Sequence, residues 1–84
     1  MLNARSAWHL RMWDEGAVAW NAVNGDTHAM DALSAEVLLA SRLQGISDAA
    51  LAEHLAQRLA LPLDETLQHA ILGALDRIHQ LEAP

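Results

Sequence analysis

The hydrophobic period of this chain changes once, at Asp31. Before it, apolar and polar residues alternate, which is the period of a half-buried strand; after it, Leu, Ala and Ile return every three or four residues, which is the period of a helix. All three tryptophans (Trp8, Trp13 and Trp20) precede the change, and there is no phenylalanine or tyrosine. No Pro/Gly/Ser-rich linker separates the two textures, and 84 residues suit one small domain. The expected class is therefore α+β: a single domain over residues 1–84, with a three-stranded antiparallel meander followed by three helices (βββααα).

The strands can be placed from the alternation. Over Ala7 to Trp13, Trp8, Leu10 and Met12 face one way and His9, Arg11 and Trp13 the other. Asp14-Glu15-Gly16 reads as a turn in which Gly16 can take positive φ. Ala17 to Val23 follows, with Val18, Trp20 and Ala22 on one face. Asn24-Gly25 suits a type I′ turn, so Ala17–Val23 and Asp26–Met30 are expected to form a hairpin. Trp8 and Trp20 are expected to share the face that anchors the sheet on the helices, with core packing the role of two of the three tryptophans. Trp13 is expected on the opposite face, where exposure would suit a protein contact.

Asp31 is the expected N-cap of a helix from Ala32 to about Leu43, with Leu33, Val37 and Ala40 as its stripe and Leu38 beside it. Gly45 suits the residue that closes it. Ser47 caps a second helix, about Asp48 to Leu59, in which Leu51, Leu55 and Leu59 recur. Pro62 forces a break. Asp64 opens a third helix to about Leu81, striped by Leu67, Ile71, Leu75 and Ile78, with Ala70 and Ala74 alongside. The terminal Pro84 is expected to fray.

Several function classes conflict with this composition. The absence of cysteine removes disulfides, thiol catalysis and thiolate metal sites. Five arginines against eleven acidic residues, with no lysine, give a formal charge of −6. Residues 32–84 carry three arginines and seven acids, a net −4 that opposes a DNA-reading helix. No apolar run approaches a membrane span, and Met1-Leu2-Asn3-Ala4-Arg5 lacks the apolar core of a signal peptide. A cytoplasmic setting without membrane or nucleic-acid partners is expected.

Catalytic patterns are equally thin. His9, His28, His54, His69 and His79 form no H-x-x-x-H or H-E-x-x-H spacing, so no metal is expected. No serine stands in G-x-S-x-G, and the four glycines are isolated. Asp14-Glu15 and Asp64-Glu65 sit at a turn and a helix start, where acids serve structure. We expect no enzyme activity and no cofactor.

What the pattern does offer is an edge. The short third strand, Asp26-Thr27-His28-Ala29-Met30, presents backbone groups to which an extended peptide could add. The alternatives are an edge that is capped, an edge that pairs two copies as a structural homodimer, and a DNA-binding regulator of winged helix-turn-helix type. His28 also reads simply as a polar residue at the strand end.

The stretch Trp13-Asp14-Glu15, Trp20-Asn21, Gly25-Asp26-Thr27-His28, Asp31 and Ala35-Glu36-Val37-Leu38 resembles the PqqD-like peptide chaperones, nearest the HPr-rel-A system PqqD family. The resemblance runs from about Ala7 to Leu81, and its specific part is Trp13 to Leu38. It implies a RiPP recognition element: a winged-helix-like, non-catalytic adaptor that binds the leader segment of a precursor peptide as an added strand and presents it to a modifying enzyme. The implied groove carries Asp26, Thr27, His28, Ala29 and Met30 on the strand, with Ala70, Ile71, Ala74 and Arg77 opposite on the third helix. In the HPr-related branch the implied partner is an HPr-kinase-like protein. Quinone-cofactor members usually finish the third helix with a Gly-Leu type turn, whereas this chain ends Gln80-Leu81-Glu82-Ala83-Pro84. With Arg77 the only basic residue on that helix, a neutral, apolar or basic leader is expected rather than an acidic one.

Overall fold

The computed structural model describes residues 7–23 and 25–82. Three strands, β1 (Trp8–Trp13), β2 (Gly16–Asn21) and β3 (Thr27–Met30), form an antiparallel sheet in the order β1-β2-β3. Three helices follow: α1 (Ala32–Leu38, continued as a π-helical turn over Leu39–Leu43), α2 (Asp48–Leu59) and α3 (Glu65–Glu82). The βββααα order matches the sequence expectation. The fraying expected at Pro84 lies outside the described residues.

The first hairpin is tight, with Trp13 opposite Gly16 and only Asp14 and Glu15 between them. Gly16 has φ +157°, and a Cβ there would stand 3.0 Å from the Met30 carbonyl oxygen, so close approach of β3 rather than the turn alone requires glycine. The second hairpin is looser than expected. β2 stops at Asn21 and β3 begins at Thr27, so Asp26 precedes the strand instead of belonging to it. The Asn21 N–H donates to the Asp26 carbonyl at 3.0 Å, closing a four-residue loop over positions 22–25. Within that loop the Gly25 N–H donates to the Asn21 carbonyl at 2.7 Å, and the Asn21 side chain accepts from the Val23 N–H at 2.8 Å. Buried Asn21 thus organises the loop and shortens both strands. Gly25 takes φ +77°, while Asn24, the other half of the expected type I′ pair, lies outside the described residues.

Trp20 is on the other face from the one expected. Trp8 pairs with Asn21 and His9 with Trp20, so Trp20 shares the outer face with His9, Arg11 and Trp13. The inward residues of β2 are Ala17, Ala19 and Asn21, all buried. Only Trp8 of the three tryptophans is a core residue, 2% exposed against 39% for Trp20 and 53% for Trp13. The physical reason is room. Alanines on the central strand let α1 lie close to the sheet, and Trp8 from one flank meets His28 from the other at a ring separation of 6.4 Å. A large inward side chain on β2 would push the helix off.

The helices obey their sequence signals closely. Asp31 caps α1 by accepting from the Ser34 N–H at 2.7 Å, Ser47 caps α2 through the Ala50 N–H at 3.3 Å, and Asp64 accepts from the Leu67 N–H at 3.0 Å. The first helix departs from expectation after Leu38, where it widens. There the Gln44 N–H reaches back five residues to the Leu39 carbonyl at 2.9 Å, before Gly45 closes the turn at φ +74°. α2 ends before Pro62 can act. Ala60 turns left-handed at φ +55°, and the Leu61 N–H bonds the Ala56 carbonyl at 3.0 Å in a Schellman arrangement.

The core runs from Trp8, Ala19 and Met30 through Val37 and Leu38 of α1 to Leu51 and Leu55 of α2 and Leu67, Ile71, Leu75 and Ile78 of α3. α1 is the middle layer, with the sheet on one side and α3 on the other. The end of α3 is tied down by a buried tryptophan. Glu82 Oε2 accepts from Trp8 Nε1 at 2.7 Å and from Arg42 Nε at 2.8 Å, while its Oε1 accepts from Arg42 Nη2 at 3.0 Å. One carboxylate therefore joins β1, the π-helical turn and the last turn of α3. No helix among the described residues is long and apolar enough to cross a membrane.

Candidate functional site

Antiparallel pairing decides which groups of β3 are available. Adjacent residues of an antiparallel strand aim their N–H and C=O alternately at the partner and away from it. Because Asn21 and Asp26 bond each other, His28 and Met30 aim their backbone groups at β2, opposite Ala19 and Ala17. Thr27 and Ala29 aim theirs outward. One of those outward acceptors is occupied: Arg77 Nη2 of α3 donates to the Ala29 carbonyl at 3.1 Å. The same guanidinium helps to hold the Asp31 carboxyl below its ordinary value, after the larger effect of that carboxyl's hydrogen bonding to Ser34. Arg77 therefore stands where the end of β3, the start of α1 and the flank of α3 meet.

The side chains of the expected groove divide accordingly. Thr27 and Ala29 are exposed on the outer face of the sheet. His28 and Met30 point to the helix side, Met30 into the core and His28 toward Trp8. His28 Nε2 is buried with no hydrogen-bond partner, so the ring acts as packing rather than as an edge contact. On α3, Ala70, Ala74 and Arg77 fall on one row at spacings of four and three, with Ala70 and Arg77 exposed and Ala74 buried between them. Ile71 does not belong to that row. It is 3% exposed and lines a groove toward α2, so its expected place opposite β3 is corrected. Asp26 stays next to the site, in the loop before the strand.

The sequence reading missed a notch at the end of this edge. A depression of about 310 Å³ is bounded by Trp13, Glu15, Gly16, Ala17, Ala29 and Met30. It exists because Gly16 has no side chain and Ala29 a small one, leaving Trp13 as its tallest wall. The uncovered sheet face beside it carries His9 stacked on Trp20, with ring centres 5.4 Å apart and planes 11° from parallel, and the Arg11 guanidinium 5.5 Å from the Trp13 ring. The sequence signal for this face was present in the alternation of β1. What misled was assigning β2 its parity from the largest residue.

Chemically, this arrangement can hydrogen-bond an extended backbone and seat a side chain. Among the described residues, no three His, Asp or Glu side chains come together as a metal site. The fold and the edge define a small α+β domain with one short strand exposed beside a helix. No family model, curated protein or solved structure matches the chain.

Proposed function

We propose that the protein is a non-catalytic peptide-binding adaptor: it takes an extended leader segment of a precursor peptide as a fourth strand along β3 and presents it to a modifying enzyme. The observation that carries this reading is the outward backbone of Thr27 and Ala29, with Arg77 of α3 already reaching the same edge. A strand laid there gains main-chain hydrogen bonds from Thr27 and Ala29, and its alternate side chains face the Ala70–Arg77 flank of α3 and the Trp13 notch. Arg77 has further N–H donors for a backbone or terminal oxygen of the peptide. The resemblance to PqqD-like chaperones, which the Trp13 to Leu38 stretch carries, supports the same reading. It adds an HPr-kinase-like protein as the proposed partner and the cytoplasm as the proposed compartment.

An amide-resolved NMR titration tests this. Short precursor peptides encoded beside the gene are added to the labelled chain. Shifts are expected at Thr27 to Met30 and along Ala70 to Arg77. Shifts confined to other surfaces, or their absence with every such peptide, would remove the reading. A dimer whose third strands pair would instead give concentration-dependent shifts at Thr27 and Ala29 with no peptide added.

A further inference from the structure

The opposite flank of α3 carries a second surface. Between α2 and α3 lies an open groove of about 430 Å³, floored by Ala52, Ile71 and Leu75. Two leucines stand at its lip, Leu63 at 51% and Leu72 at 62% exposure, the latter one of the most exposed large apolar residues of the described chain. The helix stripe does not require Leu72, which lies off the row of Leu67, Ile71, Leu75 and Ile78. The polar rim is acidic, with Asp48 and Glu53 of α2 lining the groove. No arginine lines it. Arg42 is bound to Glu82, Arg58 to Glu36, Arg77 to the Ala29 carbonyl, and Arg11 lies over Trp13. With no lysine in the chain and no arginine among the described residues that line it, the rim keeps the single sign of Asp48 and Glu53, although Arg42, bound to Glu82, is near enough to Asp48 to feel its charge.

We infer that this groove docks a basic amphipathic helix of a partner protein. Apolar side chains at helical spacing enter over Ala52, Ile71 and Leu75 between the two lip leucines, while Arg or Lys residues beside them face Asp48 and Glu53. A two-helix groove with apolar walls receives a helix along its length, and the single sign of its rim selects a cationic one. The groove and the β3 edge use opposite flanks of α3. A docked helix and an added strand can therefore be held at once, and the inference goes beyond the adaptor reading by giving the adaptor a separate surface for its enzyme.

The test uses the full chain, isotopically labelled, and a blocked 16-residue synthetic helix with Leu at positions i, i+4, i+7 and i+11 and Arg on its polar face. Two controls accompany it: the same residues in scrambled order, and the same helix with Glu in place of Arg. The expected result is shifts at Ala49, Ala52, Leu63, Gln68 and Leu72, with both controls binding at least about tenfold more weakly. Leu72→Gln, a change at an exposed position, should abolish the shifts. The pair Asp48→Asn and Glu53→Gln should bring the Arg and Glu helices to within about threefold of each other. Equal binding of the scrambled or Glu control would overturn the inference, as would shifts elsewhere on the molecule. A dimer in sedimentation velocity that Leu72→Gln converts to monomer would assign the groove to a second copy instead. The expected shifts and the variants used all leave Thr27 and Ala29 untouched, so failure here and failure of the adaptor reading are separable.

Discussion

Arg77 reaches across from α3 and donates to the Ala29 carbonyl at 3.1 Å, joining residues 48 positions apart at the outer edge of the sheet. The bond fixes how far the helix flank stands from the edge strand. It also occupies one lone pair of an outward acceptor while leaving the Ala29 N–H and both Thr27 groups directed away from β2.

The Glu82 tie should make stability depend on acid. Burial alone would push this carboxyl up, but the hydrogen bonds from Arg42 and Trp8, with the Arg42 charge, outweigh it and hold it below its ordinary value of 4.5. A depressed carboxyl contributes stability above its unfolded-state pKa and loses it as pH falls through the folded-state value. The contribution of Glu82 to the denaturant midpoint should therefore be constant from neutral pH to about 5 and fall below 4.5. Glu82→Gln should cost about 1 kcal/mol at pH 7 and flatten the acid slope, since the pair is partly solvent-screened. An unchanged slope would show that Glu82 does not hold α3 on Trp8.

The tryptophans should separate by energy as they do by face. Trp8→Ala empties a core position and should cost about 3–5 kcal/mol. Trp20→Thr removes an outer-face ring stacked on His9 and should cost about 1 kcal/mol. Urea unfolding of both variants gives the comparison. A loss at Trp20 as large as that at Trp8 would place Trp20 in the core.

That contrast marks what the sequence could and could not convey. Three caps, at Asp31, Ser47 and Asp64, were legible because a cap is a local bargain between one side chain and the next turn. The α3 stripe was legible because period and burial agree. The inward face of β2 was not, because Val18/Trp20 and Ala17/Ala19 both alternate, and the choice between them depends on how closely α1 approaches from another part of the chain. The groove assignment of Ile71 failed for a related reason. It lies about 60° from Ala74 on an ideal helix wheel, and only the positions of α2 and β3 decide which neighbour it meets. Arg77 was legible as a residue; its carbonyl partner was not.

Ala60 offers a stabilising change. Its left-handed φ of +55° is imposed by the end of α2, and its position is exposed. A non-glycine residue there costs about 1–2 kcal/mol, against the extra unfolded-state entropy of glycine at about 0.5–1 kcal/mol. Ala60→Gly should raise stability by about 0.5–1 kcal/mol in thermal or denaturant unfolding. A loss of stability would mean that this turn does not hold in solution.

The central claim is that β3 accepts a strand, and Ala29→Pro isolates it. The Ala29 N–H faces away from β2, so proline there spares the sheet ladder and removes one outward donor, as edge strands tolerate. Calorimetric titration of this variant with a leader peptide that binds the parent chain is the direct measurement, with amide spectra of β1 and β2 showing that the sheet is kept. Strand addition predicts affinity weaker by about thirtyfold or more, close to 2 kcal/mol. Unchanged affinity in a folded Ala29→Pro variant would contradict it.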